Sequence, residues 1–471
     1  MSERISRRDL LRGAAVGGSA VLLAACKPKV VEVTKLVEKV VKETVVVEKE
    51  AADLMAAAAE EAIVSAAGSG EVVLDYWNGL TGDDGLTMIR IVQKFSEANP
   101  EVTVKMQRIP WGIYFEKLLP AMVAGAGPDV FILHVPGEVN EWVRKDVLMV
   151  LDDMFDTGML PKDDFSKDIL DSCTYDGHVV AVPMDAYSPV LWLNLDKFEE
   201  AGVEYDPDRE PLTRAEFIEI CTQLTWDENG KHPNEAGFDR EKVACWAYGT
   251  NDMVWTYRQN GIDRVSMDGT CKAMITDPRF IDGLQWGRDI IWKYYFKSGE
   301  HWSADEQSLA AGKLAMNGNG SWFYDWFRLH PEVPNKAVWP FPQIGEKKGV
   351  WVNDHGLCLP QDLESDKVEW GKKLIAFISD SPVWASDAGM PTPRKSVAEH
   401  PSIAANWALP TEIKQLAWRL PENVSYPCPT EVSGILNPII AAVLNNEREP
   451  LEAMMEAEPR VQEVLDRCCK K

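Results

Sequence analysis

The chain has 471 residues, of which 45% are apolar, and its formal net charge is −25. This length is enough to bury one large hydrophobic core or two moderate ones. A chain so acidic repels a phosphate backbone, which argues against a nucleic-acid-binding protein. The cysteines beyond Cys26 form no CxxC pair and the 7 histidines form no HxH or HExxH motif, so we expect neither a metal site nor a cofactor. Cys245 and Cys271 are candidates for a disulfide, although spacing does not determine connectivity.

The N-terminal segment shows the features of a bacterial export signal in order. Four arginines precede a short apolar run that ends at Ala25. The stretch SRRDLL resembles the twin-arginine export motif, with leucine at the usual phenylalanine position, and LAAC, which ends at Cys26, resembles a lipobox. The run is too short for a permanent membrane span, so we predict a signal peptide over 1–25. The alternative is an ordinary apolar helix with an incidental cysteine, and export by the twin-arginine or the general secretory route stays open.

Cys26 is then predicted to be a lipid anchor on the outer face of the cytoplasmic membrane, where two or more acyl chains give stable attachment. Residues 26–70 are interpreted as the anchor and its tether. Apolar residues between 30 and 54, with Thr44 among them, recur at steps of three and four, which suits an amphipathic helix or a short coiled coil. A disordered acidic and basic linker is the alternative. Residues 56–70 are predicted to be a flexible exit into the folded part.

The folded part begins with alternating strand and helix patterns. Alternation of apolar and polar residues predicts strands at 71–77 and 102–109, and an apolar run predicts another at 129–133. The helix after the first strand has the apolar set Leu86, Ile89, Ile91, Val92 and Phe95. A second helix is predicted over 114–124. This order is typical of an open α/β sheet, whose ligands bind beyond the carboxyl ends of the strands.

Short motifs farther along the chain occur in a recognisable order. They are WNG at 77–79, AGAGPDV at 124–130, AVPMDAYSPVLWLNLDKF at 181–198, GKLAMNGNGSW at 312–322 and GMPTPR at 389–394. Over about residues 71–465 they resemble the extracellular solute-binding proteins of family 1, the maltose-binding-like receptors of ABC importers. The resemblance implies a two-lobe periplasmic-binding-protein type II fold, with a ligand cleft between the lobes and a hinge of several crossings. It also implies a small-molecule solute and the transmembrane subunits of a permease as partners.

The same resemblance suggests where the lobes divide. Lobe 1 is expected to comprise 71–186 and 351–388, and lobe 2 to comprise 189–350 and 391–471. Crossings are expected near 185–189, 350 and 389–391. The sequence departs from the family pattern at Asp83-Asp84 and in the stretch 226–264, which is rich in Trp, Asp and Asn. The identity of the ligand is therefore not carried over.

The candidate ligand-binding residues are aromatic or polar residues on loops and at crossings. They are Trp77, Asn78, Asp83, Asp84, Trp111, Asp185, Tyr187, Trp255, Asn317, Trp322, Trp351 and His355. A flat indole can stack on the apolar face of a pyranose, while amide and carboxylate side chains bind the ring hydroxyls. No catalytic residue is predicted.

Each of these assignments has a structural alternative. Tryptophans such as Trp255 and Trp322 are also common core residues, because aromatic side chains dominate buried area. Asp83 or Asp84 is equally suited to cap the following helix. His355 suits a hydrogen-bonded structural role, and Trp111 suits packing at a helix start.

The candidate loops suggest a neutral solute. WNGLTGDD, PMDAYSP, NGNGSW and WVNDHG contain no Lys or Arg, the residues that phosphate and carboxylate ligands normally require. A sugar or polyol therefore fits best, and a polyamine or other cationic solute is the alternative. An exported carbohydrate-active hydrolase and an adhesion stalk are rival functions. Because the sequence has no GxSxG, no metal motif and no identifiable acid pair, we predict a receptor and not an enzyme.

Overall fold

The computed structural model describes residues 63–66, 72–249, 252–299, 303–330, 333, 335–420 and 426–469. The predicted signal peptide, Cys26 and most of the predicted tether lie outside the described residues. None of the helices in the described ranges is both long enough and apolar enough to cross a membrane.

Strands and helices alternate along the described chain. The strands are β1 Ile63–Ala66, β2 Val72–Asn78, β3 Val102–Arg108, β4 Val130–Val135, β5 Thr174–Tyr175, β6 His178–Val179, β7 Val182–Pro183, β8 Pro189–Asn194, β9 Trp226–Asp227, β10 Val243–Gly249, β11 Leu314–Gly320, β12 Lys336–Trp339 and β13 Asp354–Cys358. The α-helices are Asp83–Ala98, Trp111–Val123, Gly137–Val143, Asp152–Asp156, Lys167–Ser172, Leu195–Ala201, Arg214–Leu224, Pro278–Trp292, Ser303–Ala310, Phe323–Leu329, Ser365–Ser379, Lys395–Ala398, Leu409–Leu416, Pro429–Leu444 and Pro450–Cys468. Short 3₁₀ helices cover Lys162–Asp164, Arg240–Lys242, Asp252–Asn260 and Pro401–Ala405, and a π-helical turn covers Trp384–Ala388.

The first sheet has the strand order β1-β3-β2-β4-β13-β7. Strand β2 runs parallel to β3 and β4, whereas β13 is antiparallel to β4 and β7. Leu74, Tyr76 and Asn78 are buried and their neighbours along β2 are half-buried, as expected for side chains that alternate between two faces. The strands predicted at 71–77, 102–109 and 129–133 are confirmed.

A strand at the edge of this sheet contradicts the prediction for residues 56–70 of the tether. Residues 56–70 were expected to be a flexible exit, but Ile63–Ala66 forms a strand antiparallel to β3, with Ala66 opposite Val104. Two β-branched residues favour an extended conformation there, and the backbone of β3 offers an unpaired edge. The folded part therefore begins before residue 71.

The second sheet has the order β12-β8-β11-β10-β9. Strands β10 and β11 are parallel, and β8 is antiparallel to both β11 and β12. All residues of β8 and β11 are buried. A separate short hairpin consists of β5 and β6.

Each sheet has its own hydrophobic core. Leu74 and Ile132 of the first sheet pack with Leu374 of helix Ser365–Ser379. Leu193 of the second sheet packs with residues that include Phe217 and Trp286. The two C-terminal helices form a further cluster with helix Pro278–Trp292. Separate cores allow each half to stay packed when its position changes.

Three chain segments connect or border the two halves. The chain leaves the first sheet between β7 and β8 and returns to it between β12 and β13. These two segments pair through their backbones, because Tyr187 N donates to Asn353 O at 2.8 Å and Asn353 N donates to Tyr187 O at 3.1 Å. A third segment joins them where Ala186 N donates to Pro391 O at 2.8 Å.

The first two long helices differ in detail from their predictions. Gly82 is the N-cap of helix Asp83–Ala98 and no side chain caps it, so neither acid at its start is the cap. Leu86, which was expected on the buried face, is 44% exposed. Helix Trp111–Val123 begins three residues before the predicted Tyr114, directly after Pro110. Proline has no N–H and a fixed φ, which suits a helix boundary at that position.

The disulfide prediction was wrong for Cys245. Cys271 bonds to Cys469, and Cys428 bonds to Cys468, with Cα–Cα separations of 6.5 and 6.2 Å. Cys245 is a buried free thiol whose pKa is raised to about 12, chiefly by burial. The two disulfides attach the end of the last helix to the cluster of C-terminal helices.

Candidate functional site

A cavity of about 690 Å³ lies between elements of the two halves. One wall comes from helix Trp111–Val123, residue His134 and helix Gly137–Val143 of the first half. The other wall comes from residues 258–264 and helix Pro429–Leu444 of the second half, with Asn353 contributed by a crossing segment. Its volume is within the range of small-molecule sites.

Aromatic rings dominate the first wall. The ring of Trp111 lies 4.4 Å from that of His134 and stacks on that of Phe115 at 5.6 Å, centroid to centroid. The indole covers the backbone of Gly79, where any Cβ would overlap the ring. Glycine after β2 therefore sets the position of this tryptophan. Trp111 was a predicted ligand residue, and it lines the cavity.

Acidic residues complete the first wall. Glu138 lies 3.7 Å from Nδ1 of His134. Glu141 accepts hydrogen bonds from Lys145 Nζ at 2.7 Å and from the hydroxyl of Thr430 at 2.8 Å. The bond to Thr430 crosses the cavity and links the two walls.

The second wall presents one polar face of helix Pro429–Leu444. Residues at positions i, i+3, i+4 and i+7 line the cavity, namely Thr430, Ser433, Gly434 and Asn437. Its buried residues, such as Val432 and Leu436, lie on the other side of the helix. Hydroxyl and amide groups therefore face the cavity where a core helix would present apolar side chains.

Two arginines line the same wall of the cavity as this helix. Arg258 Nε lies 3.3 Å from the carboxylate of Asp263, and both side chains are largely buried. Arg264 Nη1 donates to the hydroxyl of Ser433 at 3.1 Å. Its Nε has no hydrogen-bond partner among the described residues. The cavity thus contains cationic groups that the candidate loops lack.

Beneath the aromatic wall lies a buried polar cluster. Asp185 accepts hydrogen bonds from the backbone N and the Nδ1 of His355 at 2.9 Å each and from Trp384 Nε1 at 2.7 Å. His355 stacks between Trp111 and Tyr187, with ring separations of 5.6 and 4.5 Å. Asp185 and His355, both predicted ligand residues, are buried and bound to one another.

Two more of the predicted tryptophans lie beside Tyr187, and a third lies beside one of them. The rings of Trp322 and Trp351 lie 5.6 and 5.8 Å from the Tyr187 ring. Trp255 lies 6.3 Å from Trp351 and also contacts Phe341. All three tryptophans are half-buried.

Asn317 on β11 is 1% exposed, and neither of its amide atoms has a hydrogen-bond partner among the described residues. Trp322 covers Gly320 as Trp111 covers Gly79, because a Cβ at Gly320 would overlap the ring.

The four predicted residues near the end of β2 lie beside the interface between the halves. Trp77 is half-buried, and Asn78 Oδ1 accepts a hydrogen bond from Leu80 N at 3.1 Å. Asp83 and Asp84 occupy the first turn of their helix. Burial raises the pKa of Asp84 to about 7, with Asp325 and Asp83 raising it further and Arg108 opposing them.

Most residues that line the cavity were not predicted from the sequence. They include Glu116, Glu138, Arg258, Arg264, Ser433 and Asn437. The polar residues at helical spacing in TEVSGILN, residues 430–437, are a sequence signal from which this polar helix face could have been predicted. The absence of Lys and Arg from the candidate loops does not extend to the cavity. Within the described ranges, no group of three or more His, Cys, Asp or Glu side chains is arranged to hold a metal ion.

Comparison with known proteins identifies the fold. The chain is 24% identical over 253 residues to an uncharacterised ABC transporter extracellular-binding protein of Pyrococcus horikoshii, which covers 52% of this chain and 54% of that protein. The chain thus spans about half the length of this curated relative. A solute-binding protein from Thermotoga lettingae bound with α-D-tagatose superposes with a TM-score of 0.70 at 20% identity, over 84% of this chain and 100% of that one. UgpB from Mycobacterium tuberculosis in complex with glycerophosphocholine gives a TM-score of 0.69 at 20% identity, over 84% and 99%.

These likenesses show the type II periplasmic-binding-protein fold that the motifs implied. The model of the bacterial extracellular solute-binding protein family matches residues 78–381. That stretch contains β3 to β13 and the last residue of β2, and therefore most of the first sheet, all of the second sheet and two of the crossings. The chain belongs to the bacterial extracellular solute-binding protein family.

Proposed function

We propose that the protein is the solute receptor of an ABC importer and that it captures a small polyhydroxylated solute, a sugar or polyol, in the cavity between its halves. The observation that carries the proposal is the cavity itself, which both halves line with hydrogen-bonding side chains and a stacked indole. The relative from P. horikoshii is named as part of an ABC transporter, which supports a permease as the partner.

The predicted ligand residues divide into three groups in this proposal. Trp111 contacts the solute directly, since it lines the cavity. Tyr187, Trp255, Asn317, Trp322 and Trp351, together with the four residues near the end of β2, are proposed to border the cleft as it opens and closes. Asp185 and His355 are assigned a supporting role, because their polar atoms already bind one another.

The two halves are proposed to move as lobes. Lobe 1 comprises 71–186 and 351–388, extended at its N-terminal end by β1, and lobe 2 comprises 189–350 and 391–471. Rotation about the paired segments near Tyr187, Asn353 and Pro391 leaves both cores packed. The solute favours closure only if it contacts both lobes, since a conformational equilibrium shifts by differential affinity.

Export and lipid attachment at Cys26 are part of the same proposal. The motivation is the basic segment followed by LAAC. Intact-mass analysis of membrane-extracted protein should show loss of residues 1–25 and added acyl chains on Cys26. A mass that begins at Met1 or Ser2 without modification would contradict this part of the proposal.

A solute screen tests the receptor function. We expect a sugar or polyol to raise the melting temperature, because a ligand that binds only the folded state stabilises it by mass action. Small-angle scattering should then show a smaller radius of gyration at saturating solute. The solute should be recovered unchanged after long incubation, whereas product release would identify a hydrolase. Stabilisation by polyamines alone would favour a cationic solute.

A further inference from the structure

The charged side chains of the cavity are only partly paired with one another. Lys145 pairs with Glu141 at 2.7 Å, and Arg258 pairs with Asp263 at 3.3 Å. Each of these pairs lies within one wall. Arg264 on the second wall and Glu116 and Glu138 on the first wall remain. Arg264 contacts a hydroxyl and Glu138 an imidazole. The remaining charges therefore differ in sign from wall to wall.

The second wall offers a set of donors around Arg264. Its Nη1 donates to Ser433 Oγ at 3.1 Å, so the Ser433 hydroxyl hydrogen is available to a third group. Arg264 lines the cavity, and its guanidinium has further N–H donors besides the one bonded to Ser433. Asn437 lines the same wall one helical turn beyond Ser433. A guanidinium N–H, a hydroxyl and an amide in one place suit the oxygens of a phosphate or carboxylate.

The first wall suits a positive group. Trp111, Phe115 and His134 form a contiguous ring surface, with centroid separations of 5.6 and 4.4 Å from the indole. Aromatic faces attract ammonium groups, and the attraction is stronger when water is excluded. Glu138 lies beside His134 at 3.7 Å and lines the same cavity. An ammonium group there would have a counter-charge and aromatic contact.

We propose that the solute of this cleft is zwitterionic, with an anionic group at Arg264 and Ser433 and an ammonium group at Trp111 and Glu138. This inference rests on the proposed receptor function and narrows its polyhydroxylated solute to one that carries both charges. Closure removes water from both walls, and an unpaired charge in such a site is costly. A solute with both charges, separated by a hydroxylated chain, satisfies the two walls together.

Calorimetry with four probes tests the proposal. The probes are glycerophosphocholine as the zwitterion, glycerol 3-phosphate as the anion, choline as the cation and maltose as the neutral sugar. We expect glycerophosphocholine to bind most tightly. Arg264→Gln should weaken it and glycerol 3-phosphate about ten- to hundredfold, the effect of losing a hydrogen bond from a charged donor. Glu138→Gln should weaken glycerophosphocholine and choline but not glycerol 3-phosphate.

Arg240→Gln and Glu369→Gln are the matched controls, since both side chains are solvent-exposed and outside the cavity. Neither should change affinity more than about twofold. If maltose bound most tightly, or if Arg264→Gln left the affinities unchanged, the proposal of a zwitterionic solute would be overturned. The proposed receptor function would stand. Failure of both phosphate probes to bind would also overturn the proposal of a zwitterionic solute. Turnover of any probe would instead overturn the receptor function.

Discussion

Trp384 Nε1 donates a 2.7 Å hydrogen bond to the carboxylate of Asp185, which is completely buried. The same carboxylate accepts from the backbone N and the ring of His355. Asp185 belongs to the first crossing segment. His355 follows Asn353 of the second segment by two residues, and Trp384 precedes the third segment. The Asp185 side chain therefore links the three segments at which the two halves meet.

Asp185→Ala is expected to destabilise the protein by about 3–5 kcal/mol, because it leaves buried donors unpaired. Urea unfolding without solute measures this free energy. Asp171→Ala is a matched control, since that carboxylate is 59% exposed and pairs with Lys167 on its own helix. An Asp185→Ala variant that is as stable as the control but has lost solute affinity would instead indicate direct ligand contact.

Gly79→Ala and Gly320→Ala should distinguish the two candidate stacking tryptophans. Each added methyl group overlaps one indole, that of Trp111 or that of Trp322. Neither glycine has a positive φ, so alanine is compatible with the backbone. We expect Gly79→Ala to weaken solute binding about tenfold or more and Gly320→Ala to weaken it less, as measured by calorimetry. The reverse order would assign the stacking role to Trp322.

Stability should depend on pH through Asp84. Its pKa is about 7 in the folded protein, against 3.8 for an ordinary aspartate, mainly because of burial. Below about pH 4 the group is protonated in both states, so its stabilising contribution is complete there and is lost as pH rises to about 7. Asp84→Asn should therefore gain stability over the native protein across this range, by up to about 4 kcal/mol.

Urea unfolding at several pH values measures this difference between Asp84→Asn and the native chain. Asp325 and Asp83 oppose ionisation of Asp84, and Arg108 favours it. Asp171→Asn is the exposed control and should show no comparable trend. A difference for Asp84→Asn that is constant from pH 4 to pH 8 would show that this carboxyl titrates normally.

Glu412 should be replaceable with a gain in stability. Its side chain is completely buried and neither carboxyl oxygen has a hydrogen-bond partner among the described residues. Burial raises its pKa well above the ordinary value. Glu412→Met removes the buried polar group at similar volume and should stabilise by about 1–3 kcal/mol. Glu369→Met, at a 73% exposed side chain, should change stability by less than about 0.5 kcal/mol. Loss of stability in Glu412→Met would reveal a structural role for the carboxyl group.

Thr430→Val should weaken the closed state. The Thr430 hydroxyl donates to Glu141 across the cavity at 2.8 Å, and valine keeps the shape without the donor. Solute dissociation should accelerate about fivefold, which corresponds to one hydrogen bond of about 1 kcal/mol. Stopped-flow measurement checks this rate. Thr157→Val, whose hydroxyl bonds to its own helix at Asp153, is the control.

The sequence predicted those parts of the fold that depend on local pattern. Strands β2, β3 and β4 follow from alternation or apolar runs within a few residues. The pairing of β1 with β3 and the bonds of Cys271 and Cys428 to the chain end depend on distant segments. No local pattern encodes such contacts.

The cavity residues likewise divide into those that a local sequence pattern predicts and those that only the folded chain brings together. Trp111 was predicted because tryptophan in a loop signals both packing and ligand contact. Arg264 and Ser433 are 169 residues apart and meet only in the folded chain. A neutral solute was predicted from loops near the strand ends. Arg258 instead lies in the 3₁₀ helix Asp252–Asn260, Arg264 in the segment after it and Ser433 in a C-terminal helix.

The backbone pair of Tyr187 and Asn353 has a mechanical consequence. If the halves pivot there, residues close to the pair move little and residues at the cavity rim, such as Glu141 and Thr430, travel along a longer arc. A small torsional change at the pivot is then amplified into separation at the rim. A fluorophore pair placed at the rim would therefore report closure with far greater contrast than one placed beside the pivot.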